Sequence, residues 1–252
     1  MGDDALMSGN ELLKKSLKKY IGLDEVNADE FAHITRAIAN INQFKALYKA
    51  YFDKQPSYQV NDTFGNAIDF IFDWENGEVK IQVAQQTTFK LTFLQFMKTL
   101  NLVDLCQMII LPLGTIVKLD LDLMPEELRK AYHASGTESL FMISGRKTAI
   151  RGSFGEFYVD YIARLWPFGE SEHVQPFLIS TMMIKEIVFM GMTNDLENQF
   201  VDSVLREELI YKNSRSIGYL VDDEVKELNL AIQGTDVAKD EVSEDGTSHI
   251  LS

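Results

Sequence analysis

Cysteine is nearly missing from this sequence. Cys106 is the only one in 252 residues, so an internal disulfide is impossible and packing alone must hold the chain. It lies between Leu105 and Met108 in an apolar setting and reads as a buried side chain, with no base nearby in sequence to activate it. Basic residues are also scarce. The 24 Lys and Arg against 38 Asp and Glu leave a formal net charge of −14 and a pI near 4.7. Such a surface repels backbone phosphates, which argues against nucleic acid. It equally disfavours an anionic membrane surface and suits a basic protein partner. No apolar run reaches the roughly 18 residues of a membrane span. Even Met108 to Val117 is interrupted by Pro112 and Gly114, and membrane insertion is not expected. The start, Met1-Gly2-Asp3-Asp4-Ala5, lacks a basic run followed by an apolar one. No secretory signal is therefore read, and a cytoplasmic location is expected.

Catalytic signatures are missing too. H-E-x-x-H, G-x-S-x-G and paired C-x-x-C do not occur. His33, His133, His173 and His249 are dispersed, and Glu170, Glu172 and His173 have no nucleophile beside them. Asp120 and Asp122, placed on one side of a strand, are too few to specify a cation site. Gly152-Ser153-Phe154-Gly155 matches neither phosphate-loop spacing. Arg146 ends a strand, with Asp160 or Glu156 placed to pair with it across a sheet at about 1 kcal/mol or less. The expectation is a protein without catalytic, metal or cofactor residues.

What is present is a pattern of mixed helices and strands. Glu11 to Ile21 reads as an amphipathic helix with Leu13, Leu17, Tyr20 and Ile21 opposite four lysines, ended by Gly22. A second helix is expected from about Ala28 to Phe52, capped by Asn27 or Asp29, with a stripe from Phe31 to Tyr51. Ala67–Trp74 and Val79–Val83 alternate as a hairpin, with Asn76-Gly77 supplying positive φ angles at the turn. Thr87 to Val103 fits both periods, and a helix over Thr92–Asn101 is favoured. Runs at Ile109–Leu119, Leu140–Arg146 and Ile184–Gly191 read as strands of one small sheet, joined by Glu156–Leu165. A short helix around Pro125 is inserted between the first two. Leu196, Phe200, Val201, Val204, Leu205 and Leu209 form one regular apolar face of a helix capped by Asn194 or Asp195. Glu224 to Ile232 reads as a last short helix. The class is α+β: a small, mostly antiparallel sheet in the C-terminal half packed with helices, after a helical N-terminal part with a β-hairpin. The corresponding division is 1–104, 105–233 and an acidic, disordered tail at 234–252. Met182, Met183, Met190 and Met192 cluster around one strand, either filling a core or offering an adaptable binding surface.

The central stretch also carries a resemblance. Leu111-Pro112-Leu113-Gly114-Thr115-Ile116-Val117 is followed by Ile143-Ser144-Gly145-Arg146, then Asp160-Tyr161, then Ile184-Lys185-Glu186-Ile187-Val188-Phe189-Met190-Gly191 and the helix containing Phe200. In order and spacing these resemble a domain of unknown function from Gram-positive bacteria, encoded beside LXG polymorphic toxins in type VII secretion gene clusters. The family-like positions are Leu111, Pro112, Gly114, Gly145, Arg146, Asp160, Tyr161, Phe189 and Gly191. Two departures stand out: the Leu121–Thr137 insertion between strands that a short turn usually joins, and residues 1–104, which lie outside the pattern. The resemblance implies a non-enzymatic chaperone or targeting factor that binds an LXG toxin or other secreted effector, through its C-terminal toxin region, before export. Contact with the secretion machinery belongs to the same expectation. An immunity protein that neutralises a cognate toxin is the alternative. Pro112 opening a strand and Gly114 at a bend read as scaffold.

Overall fold

A computed structural model describes residues 9–228 apart from 85, 124–125, 127–128, 131, 133–137, 151–154 and 171–174. The Gly152 loop, Pro125, Glu172, His133, His173, His249 and the 234–252 tail lie outside the described residues. The chain divides into Met1–Tyr219 and Leu220–Ser252. In the second unit residues 222–228 are helical, and the Val221 N–H donates to Glu224 Oε2 at 3.0 Å.

Helix α1 (Gly9–Ser16) runs on as a π turn over Leu17–Ile21 and stops at Gly22. Leu13, Leu17 and Ile21 are buried, as their spacing predicts. Two of the opposing lysines bridge to the next helix, Lys14 to Asp29 at 2.7 Å and Lys18 to Glu25. The single helix expected over Ala28–Phe52 is two, α2 (Glu25–Ala37) and α3 (Ile41–Phe52). The cap of α2 is Asp24, whose side chain accepts from the Asn27 N–H, and Asn40 starts α3 in the same way. The apolar stripe continues across the break because Ile38 stays buried there.

The expected hairpin is the centre of a four-stranded antiparallel meander, β1 (Ser57–Asn61), β2 (Ala67–Asp73), β3 (Glu78–Val83) and β4 (Gln86–Thr92). Its turn spans Trp74–Gly77, and of Asn76 and Gly77 only Gly77 takes a positive φ, +67°. The Asp73 carboxylate accepts from the Asn76 backbone and side chain, which fixes this longer turn. Both periods read in Thr87–Val103 are real. The alternation is β4, and the helical repeat is α4 (Phe93–Gln107), separated by a capping box between Thr92 and Gln95. One face of the meander packs on α3 and α4 through Phe70, Phe72, Tyr51 and Phe96, with ring centroids 5.8–6.3 Å apart.

The three motif runs do pair in one sheet. Its order is β10-β7-β6-β5-β9, with β5 (Ile116–Leu119), β6 (Leu140–Ala149), β7 (Phe157–Leu165), β9 (Ile184–Phe189) and β10 (Arg215–Ser216); β8 (Phe177–Ile179) adds to β7. All pairs are antiparallel except β10 with β7. Residues 121–123 form a 3₁₀ turn, so Asp120 and Asp122 do not share a strand face. Helix α4 is buried from Leu100 to Cys106 without interruption and lies among both sheets, as a helix lacking a polar side must. The division at residue 104 falls inside it. A helix does run from Asp195 to Tyr211 in three pieces, α-helical Asp195–Phe200, a π turn Val201–Arg206 and α-helical Glu207–Tyr211, capped by Asn194.

Gly191 ends the third motif strand against the loop before β5. A Cβ built there meets Leu113 O at 2.3 Å and Thr115 N at 2.9 Å. Backbone atoms cannot step aside as a side-chain tip can. Gly191→Ala is therefore expected to lower the unfolding free energy by about 1–3 kcal/mol, the range for overpacking. Urea denaturation against the wild type measures this, and an unchanged midpoint would refute the close approach.

Candidate functional site

Most motif residues serve the scaffold. The Leu111 N–H donates to the buried Tyr161 hydroxyl at 3.1 Å, and Pro112 O accepts the Thr115 hydroxyl at 2.7 Å. Gly114 holds φ at +79°, a value that favours glycine, and its N–H donates to Ile143 O at 2.8 Å. Thr115 Oγ1 in turn accepts the Gly191 N–H at 3.0 Å. Gly145 lets Ile162 approach, since an added Cβ there lies 3.2 Å from that side chain. These contacts join the three motif strands around the Pro112–Thr115 turn.

The two charged motif residues pair differently from expectation. Neither Asp160 nor Glu156 is the partner of Arg146. The register places Arg146 opposite Tyr161, and its guanidinium grips Glu197 of the 195–211 helix, with Nη2 to Oε2 at 2.9 Å, while stacking on Phe200 at 5.4 Å. Hydrogen bonding from Arg146 holds the Glu197 carboxyl below its usual range. Asp160 is engaged by Lys147 Nζ at 2.8 Å and by the Thr181 N–H at 3.0 Å. Lys147 Nζ also lies 3.5 Å from Asp104 Oδ2 on α4, and all three side chains are buried. Burial alone would lower the Lys147 pKa, but the two carboxylates outweigh it and raise it well above 10.5. Asp104 is raised, by burial first, against the pull of Lys147 and with the push of Asp160. Lys147 went unnoticed in the sequence because nothing local marks it, and its φ of +45° is set by tertiary contacts. Cys106 is buried, and burial pushes its thiol up to about 12, so no thiolate nucleophile arises.

The four methionines do not form one surface. Met182 and Met183 line a cavity of about 590 Å³ between α3 and the start of β9. A second of about 230 Å³ shares Asn42, Lys45, Ile184 and Lys185 with it, and Lys45 Nζ donates across the groove to Ile184 O. Met190 and Met192 belong instead to an exposed strip. From Ile187 to Met190 every side chain is apolar and exposed, Phe189 by 61%, and Met192 by 79%. Leu196, Phe200 and Val204 of the following helix are exposed as well. The regular apolar face expected for the helix is thus split. Val201 and Leu209 face the core while Leu196, Phe200 and Val204 face solvent. Of the polar clusters weighed in the sequence, Glu170 pairs with Arg164 at 2.7 Å. His33 is exposed beside Arg36. Among the described residues no group of three His, Cys, Asp or Glu is placed to hold a metal ion, and no helix is long and apolar enough to cross a membrane.

The α+β segment from the Pro112–Thr115 turn to the first part of the 195–211 helix is a recognisable domain. Residues 110–200 match a family described as Domain of unknown function (DUF4176). No curated protein and no solved structure matches the chain.

The buried cluster makes two quantitative demands. Lys147→Met leaves two buried carboxylates without their cation and should cost about 3–5 kcal/mol of stability. Asp104 has a folded pKa above its ordinary 3.8, so its contribution is complete below pH 3.8 and is lost as pH rises through the folded value. The stability difference between wild type and Asp104→Asn should therefore shift against the wild type as pH is raised. Denaturant titrations from pH 4 upward measure it, and a pH-independent difference would contradict the raised pKa.

Proposed function

We propose that this protein is a non-enzymatic, cytoplasmic chaperone or targeting factor. It binds an LXG toxin through the toxin's C-terminal region and promotes its export by a type VII secretion system. The observation that carries a binding role is the exposed strip Ile187-Val188-Phe189-Met190, followed by Met192, in the segment matched by the DUF4176 family. Consecutive apolar side chains exposed on both faces of an edge strand are an aggregation hazard in a free protein and mark a surface meant to be covered. The class of partner, an LXG toxin, is what the motif resemblance implies, and its most exposed family-like residue is Phe189. The −14 charge keeps such a protein soluble while its partner is absent.

Co-purification with the toxin encoded beside it is expected, and Phe189→Asp should reduce the recovered toxin about tenfold, a loss near 1.4 kcal/mol. Deleting the gene should lower toxin export and leave the producer alive. Intact export with a producer that becomes toxin-sensitive would establish immunity instead, and failure to bind any neighbouring toxin would sink both readings.

A further inference from the structure

The helix from Asp195 to Tyr211 carries more apolar surface than its own core uses. Val201 and Leu209 are buried and Leu205 is half-buried, four residues apart on one side. Leu196, Phe200 and Val204, also four apart, are exposed by 73%, 43% and 48%. A helix that covers a core needs one apolar stripe, and a second stripe facing water is unaccounted for. Neither end of the helix is free to turn this stripe inward. Arg146 clamps Glu197 near the N-terminus, and Arg206 donates to Met108 O at 2.8 Å at the end of α4.

The charges around the stripe select its occupant. Glu207, three residues after Val204 and seven after Phe200, is exposed and engages no cation among the described residues. Asp202 is taken by Arg206 and Glu208 by Lys212. Asp195, just before the stripe, is another exposed carboxylate. The stripe is therefore apolar along its length and acidic at both ends. A second copy would bring carboxylates against carboxylates on a chain of net charge −14, and an anionic lipid surface would be repelled in the same way. Strand addition at the neighbouring edge is hindered because β9 shifts register twice against β5, and bulges blunt an edge.

We infer that the outward stripe Leu196–Phe200–Val204 docks an amphipathic helix of another protein, whose apolar positions are flanked by a lysine or arginine that meets Glu207. The four-residue spacing matches the ridges of a partner helix. This rests on the protein-binding reading above and adds the chemistry of the partner.

The test uses the full chain and two fluorescein-labelled helical peptides of about 18 residues, five turns each. One has a leucine stripe flanked by lysines; its twin has glutamate in place of each lysine. By anisotropy the lysine peptide should bind, and the glutamate peptide at least about tenfold more weakly. Leu196→Asp and Val204→Asp should each weaken the lysine peptide about tenfold, and Glu207→Lys should reverse the preference between the peptides. All three positions are exposed, and unchanged circular-dichroism melting checks that each variant folds. Equal binding of both peptides, unchanged affinity in the variants, or a dimer dispersed by Leu196→Asp would overturn the inference. Toxin recovered equally by wild type, Leu196→Asp and Val204→Asp also overturns it while leaving the proposed function standing. Lysine-peptide binding lost in these variants, with no toxin recovered, supports the stripe and removes the toxin reading.

Discussion

Everything in the 1–219 unit depends on how α4 meets its polar neighbours. From Leu100 to Cys106 the helix is buried on all sides, so the polar side chains there must find partners inside the protein. Asn101 Oδ1 accepts from the Tyr158 hydroxyl and the Ser216 N–H, both at 3.0 Å, and its amide donates to Ser214 O at 3.2 Å. Three residues on, Asp104 meets Lys147, which reaches across to Asp160. These bonds join α4 to β6, β7 and β10 at fixed positions. Apolar packing alone tolerates sliding between a helix and a sheet; a buried amide and a buried ion cluster do not, because a displaced charge would be left unpaired in a low-dielectric interior.

With the interior held this way, the motif residues acquire a common meaning. Gly145 and Gly191 are responses to crowding between the motif strands, Gly114 supplies the positive φ of the turn before β5, and Asp160 and Tyr161 face the core. They account for why such a segment is recognisable in sequence. The apolar side chains left exposed lie in the end of β9 and on the outward side of the following helix. Arg146 links that helix to the motif strands. Rooted in the scaffold strand β6, it holds Glu197 and stacks on Phe200, and so presents the exposed stripe in one orientation.

Much of the secondary structure was legible because it follows from local period and local caps. The α1 helix, the β2–β3 hairpin, the motif strands and the start of the 195–211 helix all show apolar spacing bounded by a cap, a turn or a glycine. The errors have physical causes. The helix expected over 28–52 hid a break because its apolar stripe is continuous in space across Ile38 and Asn40. Thr87–Val103 looked ambiguous because a strand and a helix meet at Thr92 and share Phe93 in both patterns. The six apolar residues between Leu196 and Leu209 looked like one face because periodicity counts apolar positions without saying which way they point, and a π turn in the middle shifts the phase.

The sequence by itself determined the α+β class, the order of most elements and the residues that identify the domain, since these depend on interactions a few residues apart and on steric rules for glycine and proline. Only the tertiary structure decided which charges pair, which methionines are sheltered and which half of an apolar helix is left in water. Lys147 meets Asp104 and Asp160, and Arg146 meets Glu197, through a strand register and helix placement that depend on the whole packed unit. Burial belongs to the assembled chain: the same leucine spacing gives core at Leu209 and an exposed side chain at Leu196.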